Sequence, residues 1–230
     1  MNYKKTEKLL VLIFILVMFT WNLLADTAAA TDPDSLNDNI REKVLSAIEK
    51  RYGGKSFEAS FNQISTLAAL DMMETAIGKA VFSHPGKMHW EYLEPEKQEI
   101  ISNGKFLWIY RPQQDQVLMG EAEEFLKTGA GGAFLSDIAL IRENYIITVL
   151  ENTDDYTELE LMPQAQDPNI SKIIIRVSKK SNDIIQVLIH NTQGDTNLFE
   201  FTDIRFTSVD ASLFEFSIPD GVNIVELNQN

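Results

Sequence analysis

Hydrophobic and polar residues alternate in short runs along most of this chain, and turn residues separate the runs. This pattern is typical of antiparallel strands joined by hairpins. The densest region is 78–112, where Asn103-Gly104 between two apolar runs is a strong hairpin signal. Consecutive predicted strands in this region carry four large aromatics, Trp90, Tyr92, Trp108 and Tyr110. On a curved sheet such residues form either a dense core or the wall of an apolar pocket, and the pattern leaves both open.

Helical periodicity occurs in only three places. Residues 36–52 carry an apolar stripe at helical spacing and end at Gly53-Gly54, which predicts an N-terminal helix. Residues 121–127 and 133–141 predict two short helices on either side of the glycine-rich break 128–132. Because these two helices interrupt a run of strands, we expect them to cover the concave side of the sheet.

The fold expected from this order is mainly β, a strongly curved antiparallel sheet of about ten strands with an N-terminal helix and short lid helices. The later strands fall into hairpins at a spacing typical of an antiparallel meander. Outside 78–112 the predicted strands are 57–61, 72–83, 115–119, 145–151, 156–162, 170–178, 184–191, 196–207 and 222–226.

The first thirty residues have the layout of a secretory signal peptide. Lys4, Lys5 and Lys8 precede an apolar run from Leu9 to Phe19, and small residues follow it. The alternative is an uncleaved anchor, but the run is shorter than the roughly 20 residues that a spanning helix needs. We therefore expect residues 1–30 to be a cleaved leader and residues 31–230 to be one exported domain.

The formal net charge of the chain is −14, and the chain has no cysteine. A strongly acidic surface repels phosphate backbones, so we expect no nucleic-acid partner. An exported chain without cysteine forms no disulfides and cannot carry a lipid on a cysteine. The protein is therefore expected to be held together by burial and hydrogen bonding alone.

Catalytic and metal-binding motifs are not evident in the sequence. The histidines are His84, His89 and His190, and none belongs to a zinc-binding helix motif. A Gly-x-Ser-x-Gly nucleophile elbow is missing, and cysteine nucleophiles are excluded. We expect no enzyme activity, no cofactor and no metal; a hydrolytic β-barrel enzyme is the weakest of the hypotheses.

Several motifs in order resemble the LolA family of periplasmic carriers of outer-membrane lipoproteins. Each motif is weak alone, but their order and spacing span most of the chain after residue 31. The matching pieces are Phe57-x-Ala-x-Phe61-x-Gln63, Gly78, Pro85, Trp90-Glu-Tyr92, Pro95, Asn-Gly-Lys-x-Leu-Trp-x-Tyr at 103–110, Pro112, Gln116-Val117, Phe134-Leu135, Phe199 to Phe201 with Asp203, and Leu213-Phe-x-Phe-x-Ile-Pro-x-Gly-Val-x-Ile224.

This resemblance implies a half-open β-barrel, lidded by helices, that shields lipoprotein acyl chains on their way from the inner to the outer membrane. It implies a monomer in the periplasm, an ATP-driven extractor in the inner membrane as loading partner, and an outer-membrane lipoprotein receptor as unloading partner. The alternative is a periplasmic module of the same fold that senses lipids or lipoproteins and regulates a partner.

The resemblance also implies site residues. The acyl-chain cavity is expected to be lined by Phe61, Val81, Met88, Trp90, Tyr92, Leu107 and Ile109. The lid is expected to comprise Phe134, Leu135, Ile138 and Leu140, with a hinge at Gly129, Gly131 and Gly132. Family members from the best-known lineage lock the lid with an arginine where this chain has His84, and an aromatic at the cavity mouth corresponds to Met88.

Overall fold

A twelve-stranded sheet accounts for most of the residues that the computed structural model describes, which are 33–123, Leu135 and 138–227. Within those residues two α-helices accompany it, α1 (Pro33–Tyr52) and α2 (Ala139–Asn144). The strands are β1 (Ser56–Leu67), β2 (Met72–Ser83), β3 (Lys87–Glu94), β4 (Gln98–Asn103), β5 (Phe106–Arg111), β6 (Gln116–Glu121), β7 (Tyr145–Asn152), β8 (Tyr156–Pro163), β9 (Lys172–Ser178), β10 (Ile184–His190), β11 (Thr196–Phe206) and β12 (Asn223–Glu226).

The strand order is β12-β6-β5-β4-β3-β2-β1-β11-β10-β9-β8-β7. Two meanders, β1 to β6 and β7 to β11, are therefore joined side by side through the antiparallel pair of β1 and β11. The open, curved, mainly antiparallel sheet predicted from sequence is confirmed. One pairing departs from the expected meander, because β12 runs parallel to β6.

Turn chemistry accounts for the hairpin of β4 and β5. Gly104, at this turn, has a φ of 90°, a backbone conformation that glycine adopts without strain. The Asn103 side-chain oxygen accepts hydrogen bonds from the backbone N–H groups of Lys105 and Phe106, at 3.0 and 2.9 Å. The Asn-Gly signal therefore correctly located a tight hairpin.

One face of the sheet, here called the inner face, carries the main hydrophobic core. In β1 it is the face of Phe57, Ala59 and Phe61, all of which are buried. The corresponding face of β7 to β11 is lined by branched aliphatic and aromatic side chains, among them Leu159, Ile175, Val187 and Phe199.

α1 packs on the inner face through Leu45, Ile48 and Tyr52. The Tyr52 hydroxyl accepts a hydrogen bond from the backbone N–H of Ile184 at 2.8 Å, which ties the end of α1 to β10. Arg51 adds an ion pair with Asp183 at 2.8 Å. The helix predicted over 36–52 is confirmed, and the structure begins it at Pro33.

The opposite face, the outer face, has its own small apolar cluster over β4 to β6. Ile101, Trp108 and Val117 are buried there, with Tyr110 and Phe216 packed against them. Phe216 comes from the segment that leads to β12, so the C-terminal part of the chain covers this cluster. Trp108 pairs with Ile101, whereas Trp90 pairs with the adjacent residue Ile100. Since adjacent strand residues point to opposite faces, Trp108 and Tyr110 lie on the other side of the sheet from Trp90 and Tyr92.

The predicted leader, residues 1–30, lies outside the described residues, and its cleavage stays a prediction. Within the described part of the chain, neither helix is both long and apolar enough to cross a membrane.

Candidate functional site

The inner face of β1, β2, β3 and β11 forms an aromatic floor. Trp90 is at its centre and is 1% exposed. Its ring lies 4.6 Å from Phe61, 5.4 Å from Phe199 and 5.7 Å from Phe82, measured between ring centroids. Tilted and edge-to-face contacts of this kind make a dense apolar surface.

Residues of the predicted lid segment belong to the same core as the aromatic floor. Leu135, Ile138 and Ile141 are buried in the same hydrophobic cluster as Trp90. Leu140 is only half-buried, because adjacent helix residues project about 100° apart and Ile141 takes the buried direction. Phe134, Gly129, Gly131 and Gly132 lie outside the described residues, so the second lid residue and the hinge stay predictions. The described lid residues other than Leu140 are therefore part of the main core.

Six of the seven residues predicted to line a cavity share the inner face. Each of these six belongs to the main core cluster or packs against it: Phe61, Met88, Trp90, Tyr92, Leu107 and Ile109. Val81 does not, and that prediction is wrong. It lies between the buried Ala80 and Phe82 in β2, and alternation along the strand turns it to the outer face, where it pairs with His89.

Met88 does not line an opening, contrary to expectation. The side chain is 2% exposed and lies in β3 between Phe82 and Ser102, both fully buried. The family resemblance placed it at a mouth because it corresponds to an aromatic there, yet in this chain neighbouring strands enclose it on both sides.

His84, at the β2–β3 turn, faces the lid across a groove of about 500 Å³. Ile138 and Ala139 line the groove from the lid side, and Pro85 lines it beside His84. The imidazole also stacks on Phe57, with ring centroids 6.2 Å apart. The structure therefore brings His84 close to the lid, and a locking role for it stays a prediction.

Arg142 of α2 makes the ion pairs that tie the lid helix to α1. Its Nη1 donates to Glu42 Oε2 at 2.8 Å, and its Nε donates to Glu49 Oε1. The hydrogen bond to Glu49 is the main cause of a raised pKa of Arg142, and the hydrogen bond to Glu42 is the next. The hydrogen bond from Arg142 in turn lowers the pKa of Glu42. Sequence reasoning missed this network because its members are about a hundred positions apart and no local pattern links them.

We expect Arg142→Gln to loosen the lid without unfolding the sheet. Exposed and partly exposed ion pairs are weak, so amide exchange in 139–144 should accelerate roughly two- to tenfold. Hydrogen–deuterium exchange read by mass spectrometry measures this. In the unmodified protein, high salt should have the same direction of effect.

Acid should also loosen the lid. The stabilisation of the lid by the Glu42 ion pair is fully present above the ordinary Glu42 pKa of 4.5 and is lost as the pH falls through the lowered pKa.

The matched control for Arg142→Gln is Arg176→Gln, which breaks a similar pair with Glu158 on the outer face of β8 and β9. If Arg176→Gln accelerates exchange in 139–144 as much as Arg142→Gln, the network does not hold the lid.

A second concavity, of about 670 Å³, opens on the inner face at the end of the strands away from His84. Tyr92, Gln63, Gln98 and Arg111 line it. Burial raises the pKa of the Tyr92 hydroxyl to about 12, so ionisation is disfavoured even well above neutral pH and the hydroxyl remains a hydrogen-bond donor. Sequence reasoning did not identify this polar site, although the change from Phe61 to Gln63 and from Ile109 to Arg111 along the inner-face alternation could have indicated it.

Clusters of potential metal ligands do not form in the described part of the chain. Among residues 33–123, 135 and 138–227, no group of three or more histidine, aspartate or glutamate side chains is placed to hold a metal ion.

The chain matches a known protein family over most of its strands. The family model described as "Outer membrane lipoprotein carrier protein LolA" matches residues 53–217, which include β1 to β11. The chain belongs to the LolA family. The resemblance stated from the sequence motifs is thereby confirmed, and so is the fold that it implied.

Individual relatives agree with the family assignment. An outer-membrane lipoprotein carrier protein from Azotobacter vinelandii is 24% identical over 210 residues, which cover 91% of this chain and 99% of that protein. Another from Coxiella burnetii is 25% identical over 174 residues, covering 75% and 81%. Among solved structures, an uncharacterized conserved protein from Thermus thermophilus has a TM-score of 0.55 at 10% identity, covers 81% of this chain and 99% of its own, and agrees in fold alone.

Proposed function

We propose that this LolA-family protein is a periplasmic carrier that shields the acyl chains of lipoproteins and moves them from the inner to the outer membrane. The observation that carries the proposal is the apolar inner face covered by a separate lid segment. Leu135, Ile138 and Ile141 are buried in the same core as this face, and on this proposal an acyl chain replaces them. The structure would then represent the closed, empty state of the carrier.

The energetics favour ligands with more than one chain. A sixteen-carbon acyl chain gains about 12 kcal/mol by leaving water. Displacing the three buried lid side chains costs about 5–9 kcal/mol, at about 1.5–3 kcal/mol each. Association itself costs at least about 4 kcal/mol. One acyl chain therefore gives little net affinity, and a second chain, bound once the lid is open, makes binding strong.

Unloading follows from the same balance. The closed lid competes with the ligand for the inner face, so the bound state is less stable than the hydrocarbon burial alone would make it. An inner-membrane ATP-driven extractor would load the carrier, and an outer-membrane lipoprotein receptor would accept the cargo. Neither a catalytic group nor a cofactor takes part in this scheme.

The direct test is to mix the purified protein with a diacylated or triacylated lipoprotein in detergent and then remove the detergent. We expect the lipoprotein to stay in the supernatant, in a complex with the carrier. The same cargo without its acyl chains should not form the complex. Precipitation of the acylated lipoprotein whether or not the carrier is present would overturn the proposal.

The regulatory alternative makes a different prediction about partners. A sensing module of this fold should bind a signalling protein and neither an extractor nor a receptor. Co-purification from cells with chemical crosslinking separates the two hypotheses.

A further inference from the structure

The inner face of β1 to β5 changes from apolar to polar along its length. At the end near His84 and under the lid it carries Phe82 and Met88, followed by Trp90. Beyond Phe61 and Tyr92 the same face turns polar on four of these strands. The residues at this end are Gln63 and Ser65 on β1, Glu74 on β2, Gln98 on β4 and Arg111 on β5.

The polar residues come together because the registers of the strands align them. Tyr92 pairs with Gln98, and Gln63 pairs with Ala76. The result is the 670 Å³ concavity described above, which is continuous with the aromatic floor through Tyr92. Here it is called the amide pocket, since four of the residues that line it are glutamines: Gln63, Gln98, Gln113 and Gln114.

The amide groups of this pocket are partly engaged and partly available. Arg111 Nε donates to Gln98 Oε1 at 3.1 Å. Gln63 Nε2 donates to Ser65 Oγ at 2.9 Å and to Asn197 Oδ1 at 3.1 Å. The Gln63 Oε1 atom is buried, and no group among the described residues donates a hydrogen bond to it. Such an acceptor is stabilised when a ligand N–H reaches it.

The charges of the amide pocket indicate the class of ligand. Lys97 and Arg111 line it together with Glu74 and Glu96, so two cations are balanced by two carboxylates. A phosphate headgroup would gain no net attraction from this lining. A peptide backbone is neutral and presents donors and acceptors in equal number, and side-chain amides match both.

We propose that the amide pocket binds the peptide segment next to the acylated end of the cargo, while the acyl chains extend along the aromatic floor towards the lid. This inference rests on the proposed carrier function and adds an orientation and a second subsite to it. Tyr92 lies at the junction, with its ring against Phe61 and its side chain lining the amide pocket.

The test compares two ligands with identical hydrocarbon. One is a short peptide whose N-terminal cysteine carries a dipalmitoylglyceryl group, and the other is dipalmitoylglycerol, which has no peptide. The variant is Gln98→Leu, which removes one side-chain amide at nearly constant volume. The control is Gln186→Leu, the same substitution on the outer face of β10.

We expect Gln98→Leu to weaken binding of the lipopeptide about tenfold and to leave binding of dipalmitoylglycerol unchanged. Gln186→Leu should change neither affinity. Circular dichroism establishes that both variants are folded. A third ligand, dipalmitoylphosphatidylglycerol, tests the headgroup alternative.

The possible results distinguish failure of the carrier function from failure of peptide recognition by the amide pocket. If the unmodified protein binds no diacyl ligand, the carrier function itself fails, and this inference fails with it. If diacyl ligands bind but Gln98→Leu weakens all of them equally, or none of them, the amide pocket does not recognise peptide. A loss confined to dipalmitoylphosphatidylglycerol would assign the pocket to a lipid headgroup and overturn the proposal.

Discussion

The Met88→Glu variant is expected to lose at least about 3 kcal/mol of unfolding free energy at neutral pH, because it places a carboxylate in a site that is 2% exposed. Chemical denaturation followed by circular dichroism measures the loss. Burial should raise the pKa of the new carboxyl, so the folded state binds a proton more tightly than the unfolded state. The penalty should therefore be smallest near about pH 4 and should grow as the pH rises towards about 7.

Two controls make this result specific. Met88→Leu keeps the volume and should cost less than about 1.5 kcal/mol. Met73→Glu places the same charge at a methionine that is 68% exposed in β2, and it should change stability by no more than about 0.5 kcal/mol. If Met88→Glu proves as stable as Met73→Glu at neutral pH, Met88 borders an opening in solution, and the buried position described here is not its resting state.

The second large effect is expected at Gly78. A Cβ atom there would lie 2.1 Å from the backbone oxygen of Glu91 and 2.5 Å from Cζ of Phe61. Phe61 pairs directly with Gly78, and its ring lies over the bare backbone. Since one of the obstructing atoms is backbone, it cannot rotate away, and Gly78→Ala should cost about 2–3 kcal/mol.

Thermal unfolding should show this cost as a fall in Tm of roughly 4–12 °C for a domain of this size. Gly120→Ala in β6 is the matched control, because the nearest atom to its Cβ is the Leu227 Cβ at 3.1 Å, a contact that needs a shift of only a few tenths of an ångström. An unchanged Tm in Gly78→Ala would mean that the ring of Phe61 is not held against the strand, and that the aromatic floor is looser than the structure indicates.

Most of the fold could be predicted from the sequence because its determinants are local. The alternation of Phe57, Ala59 and Phe61 identified β1, and Asn103-Gly104 identified the hairpin of β4 and β5. What escaped prediction depends on distant parts of the chain. The parallel pairing of β12 with β6 joins segments about a hundred residues apart, and no turn signal specifies it.

The candidate site likewise has features that local sequence predicts and features that depend on distant parts of the chain. Six of the seven residues expected to line a cavity share one face, because their strands have clear alternation. Val81 was misplaced because an apolar side chain on the outer face is indistinguishable by type from one on the inner face. The ion pairs of Arg142 depend on helix packing, and the meeting of Gln63, Gln98 and Arg111 in one concavity depends on strand register. Only the assembled structure brings those groups together.

The sheet has two free edges, since β12 and β7 each have one paired neighbour in the described structure. A closed barrel can widen only by breaking a ladder of hydrogen bonds. Here the width of the inner face can increase through small changes of twist between adjacent strands, with every ladder of hydrogen bonds intact. Under the proposed carrier function, cargoes of different size would bind the same protein, because the energy of accommodating a larger one is spread over eleven strand junctions instead of being concentrated at one.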